Sequence, residues 1–203
     1  QSGHRFGSEV MDFRLVLMVA GLALVACSPQ PAETTSDAAK TSEGAAKPAQ
    51  IDAGQVRLAG DNITITGPAG TTLAFGSPRD VVDNELARAM GPAFDRSSID
   101  ECGAGPMEFT DYSGGLRANF QDSKLVGWTL SREEDESSVM TTRNVGVGTS
   151  EQDVKKAYSV QQMTDSTLGD EFYTSDDVGG FFTSNGSGKV VESLFAGTNC
   201  FFR

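Results

Sequence analysis

The side chains able to do chemistry are few in this chain. One imidazole, His4, lies near the start, three thiols stand at Cys27, Cys102 and Cys200, and carboxylates are plentiful. Ser-His-Asp and Cys-His nucleophiles need an imidazole as base, and His-ligated zinc needs it as a donor. If the segment ahead of Cys27 is removed, as argued below, no histidine is left and these chemistries go with it. Carboxylates alone can hydrolyse a glycan when two of them flank a cleft about 5–10 Å apart. The acidic run Arg132-Glu133-Glu134-Asp135-Glu136 reads instead as a solvated loop, because it lacks the alternating Asp/Asn and glycine of a calcium loop. Asp176-Asp177 ahead of Gly179-Gly180 reads as a hairpin turn. Gly103-Ala104-Gly105 is followed by Pro106 rather than by a helix, which argues against a phosphate loop. No catalytic residue, metal-ligand set or cofactor is assigned.

Charge narrows the partners. The 203 residues carry 28 Asp+Glu against 16 Lys+Arg, a net charge of −12 and a sequence pI near 4.4. Phosphate backbones need clustered Lys and Arg, so the acidic balance argues against nucleic acid and none is expected as a partner. A basic patch for an anionic lipid leaflet is missing for the same reason. Excess negative charge keeps a protein dispersed, which is the plain account of the imbalance.

Residues 15–26 form an unbroken run of apolar or small side chains preceded by Arg14. That is the length of a signal-peptide core and short of the roughly 20 residues a spanning helix needs. Met11 reads as the initiator, with residues 1–10 an N-terminal artefact and residues 1–26 the signal segment. The run ends in Leu24-Val25-Ala26-Cys27, which resembles the lipobox of bacterial lipoproteins. The resemblance implies that Cys27 is lipidated, becomes the first mature residue and anchors the chain in a membrane. Ser28 in place of aspartate resembles the pattern sent to the outer membrane, facing the periplasm. Several acyl chains make such anchoring stable, at about 0.8 kcal/mol per buried CH₂.

Residues 28–50 contain three prolines and no aromatic, Val, Ile or Leu. They cannot bury enough apolar surface to offset ordering entropy, so residues 27–50 read as a lipidated cysteine and a disordered tether reaching about 25–30 Å. With Cys27 acylated, Cys102 and Cys200 are left as an even pair. In an oxidising compartment such a pair reads as a disulfide, since no C-x-x-C redox spacing is present.

Residues 51–203 read as one globular domain. Residues 55–58 and 62–65 alternate around Gly60-Asp61 as a hairpin, and residues 72–75 make a third short strand. A helix then opens with Ser77 as cap, Pro78 as its first residue and Asp80 in the first turn. Val81, Val82, Leu86, Ala89 and Met90 form its buried stripe, and Gly91-Pro92 stops it. The opening returns 73 residues on, where Ser150 and Asp153 echo Ser77 and Asp80. Gly114-Gly115-Leu116 is matched with Gly179-Gly180-Phe181, and Lys124-Leu125-Val126 with Lys189-Val190-Val191. The expected fold is therefore α+β: an antiparallel sheet packed on one face by short helices, built as a tandem duplicated α-β-β-β unit over about 72–132 and 144–203.

Alternation along the strands assigns faces. Leu116, Ala118 and Phe120, with Val126, Trp128 and Leu130, face the helices. Phe181, Val191 and Phe195 are expected beside them in the second unit. Arg117, Asn119, Phe182 and Glu192 then lie on an open face, where arginine and an aromatic are the residue types that anchor interfaces. In element order the unit resembles secreted β-lactamase inhibitory proteins and the small accessory lipoproteins of the outer-membrane barrel-assembly machine. Glu101-Cys102-Gly103-Ala104-Gly105-Pro106 and Gly197-Thr198-Asn199-Cys200 resemble a set of uncharacterised proteobacterial lipoproteins. The expected function is a non-enzymatic envelope lipoprotein that binds a protein or envelope component through Arg117, Asn119, Phe182 and Glu192. The alternatives are a structural lipoprotein without a specific ligand and a carboxylate-dependent cell-wall hydrolase.

Overall fold

The computed structural model describes residues 55–133 and 137–201. Residues 1–26, expected as a signal segment, and residues 27–50, expected as a lipidated cysteine and tether, lie outside them. Fourteen elements follow in order: β1 (Val56–Leu58), β2 (Asn62–Ile65), β3 (Thr71–Ala74), α1 (Arg79–Met90), β4 (Asp95–Ile99), β5 (Met107–Tyr112), β6 (Leu116–Gln121), β7 (Lys124–Ser131), β8 (Met140–Thr141), α2 (Glu151–Ala157), β9 (Val160–Gln162), β10 (Asp170–Thr174), β11 (Val178–Ser184) and β12 (Lys189–Gly197). Strand dominates, and the two helices are short.

The strands make two sheets. The larger has eight antiparallel strands in the order β4-β5-β6-β7-β12-β11-β10-β9, and the smaller has four in the order β3-β2-β1-β8. Each half of the large sheet is a meander of four strands, and the halves meet where β7 pairs with β12. Four strands follow each helix rather than the three expected. The missed ones, β4 and β9, are the sheet's outer edges. β4 reads DRSSI and is almost wholly exposed, so no alternation of apolar and polar residues marks it. The N-terminal hairpin β1–β2 forms around Gly60-Asp61 as expected. Its unforeseen partner is β8, which runs parallel to β1.

Gly91, with φ of 92°, ends α1, and Val82, Leu86, Ala89 and Met90 are its buried residues. Val81, expected in the stripe, is 45% exposed. Ser77 is not the cap: Pro78 holds that position and offers no side-chain hydrogen bond. The reason is sheet pairing. Gly76 N donates to Leu125 O (2.7 Å), Leu125 N to Ser77 O (2.9 Å) and Arg79 N to Ser123 O (2.9 Å), so this stretch is held along β7. Ser150 does cap α2, its hydroxyl accepting from Asp153 N at 3.2 Å.

One face of the large sheet packs against both helices and the small sheet. Trp128 is 0% exposed at its centre, and its indole N–H donates to Ala59 O at 2.8 Å. Around it lie Leu58, Ile63, Leu86, Phe120, Val154, Phe172 and Leu194. Each fully buried side chain of this kind is stabilising by about 1.5–3 kcal/mol. Leu116, Ala118, Phe120, Leu130 and Val191 point inward as read from the sequence.

Two bulges overturn the remaining face assignments. Phe120 pairs with Leu125 and Asn119 with Gly127, which leaves Val126 as the extra residue. Leu125 therefore enters the core, and Val126 turns to the opposite side among Cys102, Met107 and Phe109. Phe182 pairs with Val191 and Phe181 with Ser193, which leaves Glu192 extra in the same way. Phe195 consequently faces away from the helices. Phe182 lies in the core, 4% exposed, its ring 4.2 Å from Phe172. The error for Phe181 and Phe182 came from matching glycine pairs. Gly114-Gly115 forms a turn with positive φ, whereas Gly179-Gly180 sits inside β11, so the match was displaced along the strand by an odd number of residues and inverted its faces.

Candidate functional site

The sheet face turned away from the helices carries different chemistry in its two halves. In the first half Arg117 on β6 sits opposite Asp111 on β5. Its Nε and Nη2 donate to the two carboxylate oxygens at 2.6 and 2.9 Å, and its guanidinium lies 5.1 Å from the Phe109 ring centroid. The hydrogen bond to Asp111 holds the guanidinium pKa above its ordinary value. Both oxygens of this carboxylate are thus engaged by one guanidinium.

Two residues further on, Asn119 is 1% exposed. Its amide nitrogen donates to Thr198 O (3.1 Å) and to Asn199 Oδ1 (2.7 Å), and Thr129 Oγ1 donates to the same Asn199 oxygen (2.8 Å). Asn119 Oδ1 is buried and has no hydrogen-bond partner among the described residues. A buried acceptor left unpaired costs about 1–3 kcal/mol, and such an atom calls for an explanation.

These groups open onto a cavity of about 480 Å³ lined by Asp111, Arg117, Asn119, Thr129, Asn199 and Phe201, among others. The volume falls within the range of small-molecule and side-chain pockets. Phe94 stands at its wall and is 64% exposed, a large apolar surface left to solvent. Glu133, at the same wall, accepts from Gly114 N at 2.9 Å.

In the second half the corresponding surface is aromatic. Phe181 and Phe195 have ring centroids 5.6 Å apart, and Tyr173 meets Phe195 edge-on at 5.7 Å. Glu171, opposite Phe181 in the ladder, is wholly buried and accepts from Ser166 Oγ (2.5 Å) and Tyr173 OH (3.0 Å). Phe201 lies over the pair, 4.8 Å from Phe195 and 5.7 Å from Phe181. The face expected to be open is thus partly covered by the chain's own C-terminal residues.

Of the residues expected to bind a partner, the structure brings Arg117 and Asn119 into one cavity. Glu192 is exposed at its bulge, away from the cavity lining, and Phe182 is on the wrong side of the sheet. Cys102 and Cys200 do come together. Both are free thiols here, and burial, with the neighbouring Cys102 thiol, pushes Cys200 up to about 11. Asp111, Phe94, Thr129 and Asn199 were missed. A hairpin drawn around Gly114-Gly115 would have set Asp111 opposite Arg117, while nothing local sets Asn199 beside Asn119 and Thr129, which lie 80 and 70 residues away. Among the described residues no three His, Cys, Asp or Glu side chains lie close enough to share a metal ion.

No protein-family model, curated protein or solved structure matches this chain.

Proposed function

We propose that this chain is a lipid-anchored envelope protein, held at the outer membrane through Cys27, that binds another protein or an envelope component without chemistry of its own. The binding surface is the sheet face opposite the helices, centred on Arg117 and Asn119, with Phe94 taking the role first given to Phe182. The observation that carries this reading is a cavity lined by Asn119, whose buried amide oxygen has no partner among the described residues, by a bidentate ion pair and by an exposed phenylalanine. Polar groups that converge in a concavity beside exposed aromatic surface are what recognition sites are made of. In the native envelope, cross-linking followed by pull-down tests it. Arg117→Ala combined with Phe94→Ala should lose a partner that the unaltered chain captures, and an unchanged set of captured proteins would remove the site. Intact-mass measurement of the mature chain tests the anchor. The expected result is an acylated N-terminal cysteine, and a bare Cys27 with the leader attached would end the proposal of location.

We further propose that the domain arose by tandem duplication, each unit being one helix and the strands that follow it. The support is matching hydrogen bonds at matching places. Gly148 N donates to Val191 O and Val191 N to Thr149 O, as Gly76 N does to Leu125 O and Leu125 N to Ser77 O. Isolated bridges join Pro78 to Lys124 and Ser150 to Val190, and both third-to-fourth strand pairs carry a bulge. Proteins that share this architecture and match this chain in solved form would test the idea; their halves should superpose on each other with both bulges in register.

A further inference from the structure

Beyond the end of β12 the chain doubles back over the sheet face. Gly197, at φ of +68°, makes the reversal, and residues 198–201 then cross from the first half of the sheet to the second. This strap is held by specific groups. Thr198 N donates to Val126 O (2.8 Å), on the bulge. Asn199 is fixed by Asn119 and Thr129 and donates to Ala196 O and Gly197 O, both at 3.0 Å. Phe201 sets its ring edge-on against those of Phe181 and Phe195, which touch each other.

The floor is shaped to receive it. A Cβ at Gly127 would come within 2.5 Å of Thr198 O, so the absence of a side chain there is what lets the strap backbone lie close. A Cβ at Gly179 would stand 2.4 Å from the Phe195 ring, so that glycine makes room for the aromatic floor. The fit is nevertheless incomplete, because the strap uses the amide nitrogen of Asn119 and leaves its oxygen unpaired.

We infer that this face is a groove for an extended peptide and that residues 198–201 occupy it in cis as a stand-in. The peptide it fits carries an amide side chain followed two positions later by an aromatic, and presents a hydrogen-bond donor toward Asn119 Oδ1. The inference deepens the binding role proposed above by naming the class of partner. Main-chain hydrogen bonds with side-chain pockets are how extended segments are held at sheet edges, and on this face Thr198 supplies the main-chain bonds while Asn199 and Phe201 fill the pockets. A strap attached to the same chain competes at high effective concentration, so a free peptide gains the groove only when the strap is loosened or when it pairs the orphan oxygen.

The test uses the full chain and the fluorescent peptide Gly-Thr-Asn-Ser-Phe, read by anisotropy. With the strap loosened by Asn199→Ala and Phe201→Ala, the peptide should bind at least about tenfold more tightly than to the unaltered chain. Adding Asn119→Ala to the loosened chain should abolish that binding, as should alanine in place of the peptide's asparagine or phenylalanine. A loosened chain that melts cooperatively yet leaves the anisotropy flat up to millimolar concentration overturns the inference. So does an unaltered chain that is dimeric and becomes monomeric on loosening, since the groove would then serve a second copy. Should the double variant fail to fold, Phe201→Ala alone gives the same readout. Because no envelope partner is needed, this experiment can fail or succeed independently of the pull-down.

Discussion

The two halves of the large sheet agree on one side and diverge on the other. Counting outward from the β7–β12 seam, Trp128 and Leu194, Leu125 and Val191, and Phe120 and Phe182 hold equivalent core positions, and all are buried and apolar. On the far side the same count sets Asp111 against Tyr173, Arg117 against Gly179, Asn119 against Phe181 and Thr129 against Phe195. One half has built a polar cavity and the other an aromatic floor. Helix packing demands apolar volume at the inner positions, whereas the outer positions need only satisfy whatever covers them. Stability and recognition are therefore expected to separate by face and, on the outer face, by half.

Substitutions at the inner positions should do the most damage and fall equally on both halves. Trp128→Ala is expected to cost about 3–5 kcal/mol and Leu194→Ala about 2–5 kcal/mol in urea melts. A much smaller loss at Leu194 would mean that the second half contributes little to the core. The thiols come next. Oxidation of Cys102 and Cys200, which closes a loop of nearly one hundred residues, should add about 2–4 kcal/mol, and Cys200→Ser should remove the difference between oxidised and reduced protein. Equal midpoints with and without reductant would show that no bond forms between the halves.

The outer face sharpens the contrast. Phe181→Ala should cost about 3 kcal/mol, because its ring is packed under Phe201. Arg117→Ala should cost about 1 kcal/mol, since the ion pair is partly exposed, while weakening partner capture. Similar stability losses at the two positions would erase the proposed division of labour. In the reduced protein, alkylation of Cys200 should stay slow until the pH nears about 11, the value to which burial raises it from 9.0. A thiol whose pKa is raised by folding binds its proton more tightly in the native state. The associated stability is thus complete below about pH 9 and fades between there and about pH 11. The smallest effect belongs to Glu192→Ala, which should shift stability by less than about 0.5 kcal/mol, because the side chain is exposed on a bulge.

What could be read in advance was whatever a strand or helix announces through its own neighbours. The β1–β2 hairpin, the end of α1 at Gly91, the Ser150 cap and the inward set around Trp128 all rest on local spacing. The misreadings came from interactions between elements, or from stretches whose local pattern is silent or ambiguous. The extra residues Val126 and Glu192 shift the alternation by one, and nothing in either strand distinguishes a bulge from a regular residue. Phe182 was placed outside because two glycine pairs with different jobs were treated as one motif. The edge strand β4 is polar and exposed along all but its last residue, so periodicity is silent there. Arg117 could be named from its type and face, but the value of Asn119 depends on Thr198 and Asn199, which only the fold brings to it.

The small sheet places β1 between β2 and β8, with hydrogen bonds on both flanks. Any tension arriving from the residues ahead of Gln55 would enter this interior strand first. To extract it, an antiparallel ladder and a parallel one must rupture together, and the indole of Trp128 must release Ala59. Force applied at that end is therefore resisted in the middle of the domain, on the helix-covered side of the large sheet.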